Sequence, residues 1–141
     1  MMSGSRPLDT LFHLVHGVKR QLQSIASSID EDLAPMHIRV IKIIDRKKLC
    51  TAIDIANYLN RDKAQVTRLI STLIKKGLIT KQPNKDDKRS QFLVISNEGE
   101  DVIKAIAQFD KNIMEIMTRG LEENEIKEFE RVAKLMTANL E

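Results

Sequence analysis

The chain has 141 residues, of which 42% are hydrophobic and 4% aromatic, and its formal net charge is +3. This length and composition predict a single domain with an aliphatic core. One cysteine excludes an internal disulfide and favours a reducing, cytoplasmic location. No signal-peptide pattern and no apolar run near the length of a membrane span is present, so a membrane partner is not expected.

The charge is unevenly distributed along the chain. Residues 1–60 carry 8 basic and 6 acidic residues, residues 61–96 carry 9 and 3, and residues 97–141 carry 6 and 11. The net charges of these segments are therefore +2, +6 and −5. A concentrated positive segment favours a nucleic-acid partner, and a solvated charged face is the plainer alternative.

The first predicted element is a long helix that opens at Ser5 and Pro7 and runs to about Ile29. Its apolar residues recur in alternating steps of three and four, a repeat of about 3.5 residues that is typical of a helix packed lengthwise against other helices. These residues are Leu8, Leu11, Val15, Val18, Leu22, Ile25 and Ile29.

A second helix is predicted to begin with Pro35 in its first turn and to end at the basic segment 46–48. It is apolar on most sides, so it is expected to form the buried centre of the domain. The segment Leu49–Thr51 is expected to be a short extended piece that pairs with later strands.

Two helices joined by a tight turn are predicted next. Thr51 fits an N-cap, with Asp54 three residues later completing a capping box. Asn60 tolerates the left-handed backbone that such a turn needs, and Asp62 can cap the helix that follows. This arrangement is a helix-turn-helix.

The helix after the turn has two contrasting faces. Val66, Leu69, Ile70 and Leu73 form an apolar stripe at helical period, and Gly77 stands at the C′ position. The opposite face has no large apolar group and no acid, and such donors, methyl groups and cations can read base edges and phosphates in a major groove. This face consists of Ala64, Arg68, Ser71 and Lys75, flanked by Gln65, Thr67 and Thr72.

Two strands, Ile79–Gln82 and Gln91–Ile95, are predicted to enclose a charged tip at residues 83–89. A hairpin directly after a recognition helix is a wing, and Arg89 is expected to contact phosphate and the minor groove. Asp87 and Arg89 lie on the same side of an extended backbone, so Asp87 is expected to orient the Arg89 guanidinium. A merely solvated tip is the alternative. The predicted DNA-binding residues of helix and wing are Lys63, Ala64, Gln65, Thr67, Arg68, Ser71, Thr72, Lys75, Lys85, Asp87, Lys88 and Arg89.

Two further helices are predicted, one from Ser96 or Asn97 to about Arg119 and one from about Glu122. Both repeat the spacing of the first helix, with apolar residues such as Phe109 and Phe129 on their seams. A monomer would leave these seams partly exposed to water. A homodimer in which the first and last helices interleave is therefore expected.

Three segments together resemble the winged-helix core of the MarR family of bacterial transcriptional regulators: VTRL at 66–69, LIKKGLI at 73–79 and DKRS at 87–90. Their order and spacing carry the resemblance. The segment 33–37 resembles the family's Leu-Thr-Pro-x-Gln helix start, departing from it at Ala34 and His37. The segment 95–99 resembles the Leu-Thr-x-x-Gly link, with conservative departures at Ile95 and Ser96.

The resemblance implies the same dimeric architecture and the same roles for Asp87 and Arg89. It also implies a site for small aromatic acids between the first helix, the second helix and the winged domain, with no ligand residues carried over. The family's hydroperoxide sensors hold their reactive cysteine in the first helix, where this chain has none. Cys50 is expected to be a buried structural thiol, and a redox response through Cys50 is the alternative.

No catalytic, cofactor or metal site is predicted. The sequence has no nucleophile paired with a base and no glycine-rich phosphate loop, so an enzyme is not expected. His13 and His16 are at i, i+3, but the residues beside them offer no third ligand. They are expected to be partly exposed helix histidines.

The predicted fold is mainly α with a small β wing. It comprises an N-terminal dimerisation helix (1–34), a winged helix-turn-helix DNA-binding domain (35–96) and C-terminal dimerisation helices (97–141). The predicted function is a homodimeric repressor that binds a pseudo-palindromic operator in double-stranded DNA. The competing interpretation is a helical dimeric protein-interaction module whose winged helix no longer reads DNA. Arg68, Lys75 and Arg89 count against it.

Overall fold

A computed structural model describes residues 6–141, and over this range the chain forms six helices and one two-stranded sheet. The helices are α1 (Arg6–Ile29), α2 (Pro35–Arg46), α3 (Ala52–Leu59), α4 (Lys63–Lys75), α5 (Asn97–Met117) and α6 (Glu123–Leu140), and the strands are β1 (Ile79–Pro83) and β2 (Gln91–Ile95). The predicted class, mainly α with a small β wing, is confirmed. The predicted start of α1 at Ser5 lies outside the described residues.

The predicted bounds differ from the observed ones by one or two residues. Strand β1 extends one residue further than predicted, because Pro83 pairs with Gln91 in the antiparallel ladder. Helix α5 ends at Met117, two residues before the predicted end. Gly120, with a φ of 85°, adopts the left-handed conformation that separates α5 from α6.

The core lies where α2, α3, α4 and the wing meet. Helix α2 buries Ile38, Val40, Ile41 and Ile44, so the prediction that it forms the buried centre is confirmed. The apolar stripe of α4 is also buried at three of its four predicted positions. The largest fully buried side chains are Ile41, Ile55, Leu73, Ile79, Val40, Val66 and Cys50.

The C-terminal end of α4 is closed by a Schellman motif. Gly77 has a φ of 74°, the Leu78 N–H donates to the Leu73 carbonyl over 3.0 Å, and the Gly77 N–H donates to the Ile74 carbonyl over 2.9 Å. The Ser96 hydroxyl donates to the Gly77 carbonyl over 2.6 Å and accepts the Gly99 N–H over 3.0 Å. Ser96 therefore caps α5 and fastens it to the end of α4.

Two local predictions were wrong in part. The segment Leu49–Thr51 is extended only in part: Leu49 has a φ of 57°, whereas Thr51 is extended and Cys50 forms the predicted pairing with a wing strand, at Leu93. Asp62 occupies the N-cap position of α4, but its side chain makes no capping hydrogen bond. The Thr51 capping box is confirmed, since its hydroxyl accepts the Asp54 N–H over 3.2 Å and its own N–H donates to the Asp54 carboxylate over 3.0 Å.

The chain divides into two compact units, one ending at Gln108 and the other comprising Phe109–Glu141. The functional boundaries after residues 34 and 96 stay a prediction. The terminal helices bury little apolar surface: α6 has no buried residue, and the described part of α1 buries only Ile25 and Ala26. No helix within residues 6–141 is both long and apolar enough to cross a membrane.

Candidate nucleic-acid interface

The turn between α3 and α4 sets the direction of the second helix. Asn60 adopts the left-handed conformation with a φ of 52°, as predicted from its short polar side chain. The Arg61 N–H then donates to the Ala56 carbonyl over 3.0 Å, which closes the turn against the end of α3. Helix α4 consequently packs its apolar stripe inward and turns its polar face to solvent.

The polar face of α4 is accessible along its whole length. Ala64, Arg68, Ser71 and Lys75 are all exposed, as the sequence predicts. The flanking residues Gln65 and Thr67 are exposed as well, and Thr72 is half-buried. A helix face of this size and chemistry can enter a major groove, which is about 12 Å wide.

The two threonines of this face are already oriented by their own helix. The Thr67 hydroxyl donates to the Lys63 carbonyl over 2.9 Å, and the Thr72 hydroxyl donates to the Arg68 carbonyl over 3.2 Å. Since each hydroxyl proton is used within the helix, each threonine offers its methyl group and oxygen lone pairs outward. A thymine methyl group and an exocyclic amine are the matching groups on bases.

A groove of about 340 Å³ separates α4 from the wing. Four cations line it: Lys63 of α4, Lys81 of β1, and Lys88 and Arg89 of the wing tip. No carboxylate lines it. Its full lining is Ala52, Ile53, Lys63, Thr67, Ile70, Ser71, Lys81, Lys88, Arg89, Ser90, Gln91 and Leu93. Helix and wing thus share one basic concavity that suits a phosphate backbone.

The structure brings some of the predicted contact residues into this groove and leaves others outside it. Five predicted residues line it: Lys63, Thr67, Ser71, Lys88 and Arg89. The other seven do not: Ala64, Gln65, Arg68, Thr72, Lys75, Lys85 and Asp87. The sequence interpretation missed Lys81. The strand pattern could have revealed it, since Lys81 pairs with Leu93, a residue of the groove lining, across the hairpin.

The wing tip is organised by two short side chains. The Asn84 amide oxygen accepts the Asp86 N–H over 3.0 Å, and the Asp87 carboxylate accepts the Arg89 N–H over 3.0 Å. Asp87 therefore fixes the backbone of Arg89 and not its guanidinium, contrary to the predicted geometry. The Arg89 side chain is exposed, so its guanidinium can meet a partner outside the protein.

Cys50 lies away from solvent beneath the wing. It is fully buried, and its thiol donates weakly to the Thr51 carbonyl over 3.6 Å. Burial raises the pKa of the thiol, and the nearby Asp54 carboxylate adds to this effect. Because the thiolate is the reactive form, this environment opposes oxidation of Cys50.

His37 serves as a capping residue. Its Nδ1 accepts the Ala34 N–H over 2.8 Å at the start of α2, which requires a lone pair on that nitrogen. Burial lowers the pKa of His37 and so favours the neutral ring. Within residues 6–141, no group of three or more His, Cys, Asp or Glu side chains is placed to hold a metal ion.

Comparison with known proteins relates this region to one family. Residues 33–91 match the model of the MarR family, and this range contains all three segments that carry the resemblance. The multiple antibiotic resistance protein MarR of Escherichia coli is 25% identical over 137 residues, which cover 91% of this chain and 89% of that protein.

Two solved structures show the same fold. A MarR mutant from Escherichia coli complexed with operator DNA has a TM-score of 0.79 at 23% identity, covering 96% of this chain and 97% of that one. The heme sensor protein PefR from Streptococcus agalactiae, in complex with heme, has a TM-score of 0.63 at 23% identity, covering 95% and 93%. The chain is therefore similar to the MarR family in sequence over its winged-helix region and similar in fold to solved MarR structures over nearly its whole length.

Proposed function

We propose that the protein is a homodimeric repressor that binds a pseudo-palindromic operator and acts by occupying it. One observation carries the proposal: the exposed polar face of α4 adjoins a basic groove with no carboxylate in its lining. Positive charge is concentrated in this part, since residues 61–96 have a net charge of +6 whereas the whole chain has +3. Phosphate neutralisation by such a surface supplies the sequence-independent part of DNA affinity.

The contacts divide by chemistry. Arg68 is the best candidate for a guanine contact, because a guanidinium can bond O6 and N7 together. Ala64, Gln65, Thr67, Ser71 and Thr72 supply the methyl groups and polar atoms that fit other base edges. The cations Lys63, Lys75, Lys85, Lys88 and Arg89 would bind phosphates, and Arg89 would also reach the minor groove. Asp87 would hold the backbone that carries Arg89.

The terminal helices support the dimer. Their large apolar residues are exposed at many positions, whereas a soluble monomer rarely leaves such continuous patches in water. On α1 these residues are Leu8, Leu11, Phe12, Leu14 and Val15, and on α6 they are Phe129, Leu135, Met136 and Leu140. A two-fold dimer that covers both sets would also place two α4 helices on one duplex.

Control by a small molecule is a further part of the proposal. The likeness to a heme-bound sensor supports the idea that this fold accommodates an effector. A small aromatic acid between α1, α2 and the winged region stays the expected ligand. Control by oxidation of Cys50 is less favoured, because the thiol is buried and its pKa is raised. A DNA regulator would act in the cytoplasm of a bacterium.

The first experiment distinguishes DNA binding from a protein-interaction module. Binding to a generic duplex is measured by mobility shift or anisotropy across a range of salt concentrations. We expect affinity that falls linearly with salt on logarithmic axes, because several phosphate contacts release counterions. Replacing Lys88 and Arg89 with alanine should lower the slope by about two. The matched control is Lys104→Ala, an exposed lysine of α5 outside the groove. Absence of binding at low salt would favour the interaction module.

A further inference from the structure

We propose that Lys76 is a positioning residue that ties the end of α4 to the end of α1 and thereby sets the dimer's preference for the spacing of its two DNA half-sites. This inference rests on the proposed function. The sequence groups Lys76 with Lys75 as cations at the C-terminal end of α4, but the structure separates them. Lys75 is exposed on the polar face, whereas Lys76 reaches the turn that follows α1.

The turn after α1 presents two carboxylates in a fixed arrangement. The Asp30 N–H donates to the Ala26 carbonyl over 3.1 Å, and the Asp30 carboxylate accepts the Asp32 N–H over 2.9 Å. The Leu33 N–H donates to the Asp30 carbonyl over 3.0 Å, and Leu33 is buried. These bonds fix the conformation of the turn independently of Lys76.

Lys76 bridges both carboxylates. Its Nζ lies 2.6 Å from an oxygen of Asp32 and 3.1 Å from an oxygen of Asp30. Its own N–H donates to the Thr72 carbonyl over 3.0 Å, and the next residue, Gly77, accepts the Ser96 hydroxyl. The base of the lysine side chain is therefore fixed by α4 while its tip is fixed by α1. Both hydrogen bonds are charge-assisted and directional.

The position of this bridge gives it a role that apolar packing cannot fill. Helix α2 packs against both α1 and α4, and apolar contacts of this kind are non-directional. In the proposed dimer α1 belongs to the interface, so the geometry between α1 and α4 sets the separation of the two recognition helices. An exposed ion pair contributes little to folding stability, so loss of the bridge should change geometry more than stability.

Spacing selectivity is the readout that a merely structural lysine would not change. Affinity is measured for a duplex with the preferred spacing and for duplexes with one base pair added or removed, which displaces a half-site by about 3.4 Å. The quantity compared is the ratio of the affinity for the preferred spacing to the affinity for each altered spacing. We expect Lys76→Met to reduce the wild-type ratio by about threefold or more. Lys76→Arg should preserve the ratio, since arginine keeps the charge and reach.

Two controls separate the bridge from charge alone. Lys104→Met removes one exposed positive charge from α5 and should leave the ratio unchanged. Lys76→Asp combined with Asp32→Lys exchanges the partners and should recover part of the ratio that Lys76→Asp alone loses. Equal loss of affinity on all three duplexes for Lys76→Met would make Lys76 a phosphate contact and would overturn the proposal.

A second measurement tests the bridge without DNA. Spin labels at Ser24→Cys on α1 and Ser71→Cys on α4, both exposed, report the α1–α4 distance within a protomer diluted with unlabelled protein. Cys50 is buried and stays unlabelled. Lys76→Met should broaden the distance distribution and Lys104→Met should not. An unchanged distribution overturns the inference. DNA binding is measured on unlabelled protein, because Ser71 is itself a proposed contact residue. Failure of the unlabelled wild-type protein to bind DNA overturns the proposed function instead.

Discussion

Helices α4 and α6 have the same kind of sequence and opposite surroundings. Each has apolar residues at helical period along one face and charged residues on the other. In α4 the stripe residues Val66, Ile70 and Leu73 are buried. In α6 no residue is buried, and the Phe129 side chain is 59% exposed. Periodicity predicts which face of a helix is apolar, but it does not say what covers that face.

The two stripes differ in burial because different residues surround them in the two compact units. Within the first unit, α2, α3 and the wing surround α4 and exclude water from its stripe. In the unit 109–141, Met114 and the α6 residues Ile126, Phe129 and Ala133 line an open groove of about 510 Å³, whose rim also includes charged residues such as Glu130. An apolar face left open in this way is best explained by cover from a second copy of the chain.

The largest expected effect on stability comes from a substitution in the buried apolar stripe of α4. Leu73 is 1% exposed, and Leu73→Ala should lower the free energy of unfolding by about 2–5 kcal/mol through lost burial and a residual cavity. Leu49→Ala, at a residue that is 67% exposed, is the matched control and should change it by less than about 0.5 kcal/mol. Denaturant titration measures both. A Leu73 variant as stable as the control would show that the stripe is not part of the core.

A charged substitution in the exposed apolar stripe of α6 should separate the protomers without unfolding the winged domain. Phe129→Asp places a charge where the proposed interface needs an apolar anchor, and should weaken dimerisation by about 2–4 kcal/mol. Sedimentation measures the association, and circular dichroism checks the fold. Lys127→Asp reverses an exposed charge on the opposite face of α6 and should leave the dimer intact. A wild-type protein that sediments as a monomer at micromolar concentration would contradict the dimer.

The outer face of α4 should carry sequence discrimination. Arg68→Ala should cost about 1–3 kcal/mol on the preferred site and much less on random DNA, since a bidentate guanine contact is lost only on the correct sequence. Lys75→Ala is the comparison within the same face, and it should weaken both complexes alike. Equal losses on both DNAs for Arg68→Ala would identify Arg68 as a phosphate contact.

Two residues of the wing should have separable effects. Arg89→Ala should weaken binding to all duplexes and lower the salt slope by about one. Asp87→Ala should also weaken binding, because the carboxylate holds the Arg89 N–H in place. Binding should weaken even though Asp87→Ala removes a negative charge that repels DNA. Tighter binding by Asp87→Ala would show that charge repulsion governs the tip, and the positioning role would then be wrong.

The smallest expected effect is a pH dependence of folding stability, which arises from His37 at the start of α2. Burial lowers the pKa of His37, so the folded state binds fewer protons than the unfolded state just below pH 6.5. Stability should therefore fall as the pH drops from about 6.5 towards the lowered pKa. His37→Gln, whose amide oxygen can accept the same Ala34 N–H, should flatten this window in denaturant titrations. The lowered pKa values of Asp30 and Asp54 affect stability in a more acidic range, around and below the ordinary carboxyl pKa of 3.8.

Much of the fold could be predicted because its signals are local. The Thr51 capping box, the Asn60 turn and the Gly77 helix end each depend on residues within about four positions of one another. The position of the apolar stripe on α4 follows from periodicity alone. Local signals still failed at Leu49, which adopts a left-handed backbone, and at Asp62, which makes no capping bond.

The site was less predictable because its side chains contact residues that are distant in the sequence. Lys76 lies 46 residues from Asp30 and 44 from Asp32, and nothing in the sequence near Lys76 indicates either contact. Lys81 joins the basic groove through strand pairing. Asp87 lies where expected, but it bonds the Arg89 backbone instead of the guanidinium, since the tip forms a tight turn and not an extended strand.

The central claim is that two copies of α4 and the wing, held in one dimer, read an inverted repeat. Selection of bound duplexes from a random pool, followed by measurement of protomers per duplex, tests it most directly. We expect enriched sequences with two inverted half-sites whose centres lie about 10 base pairs apart, bound by two protomers. Retention of duplexes with no shared sequence, or of a single half-site by one protomer, would contradict it.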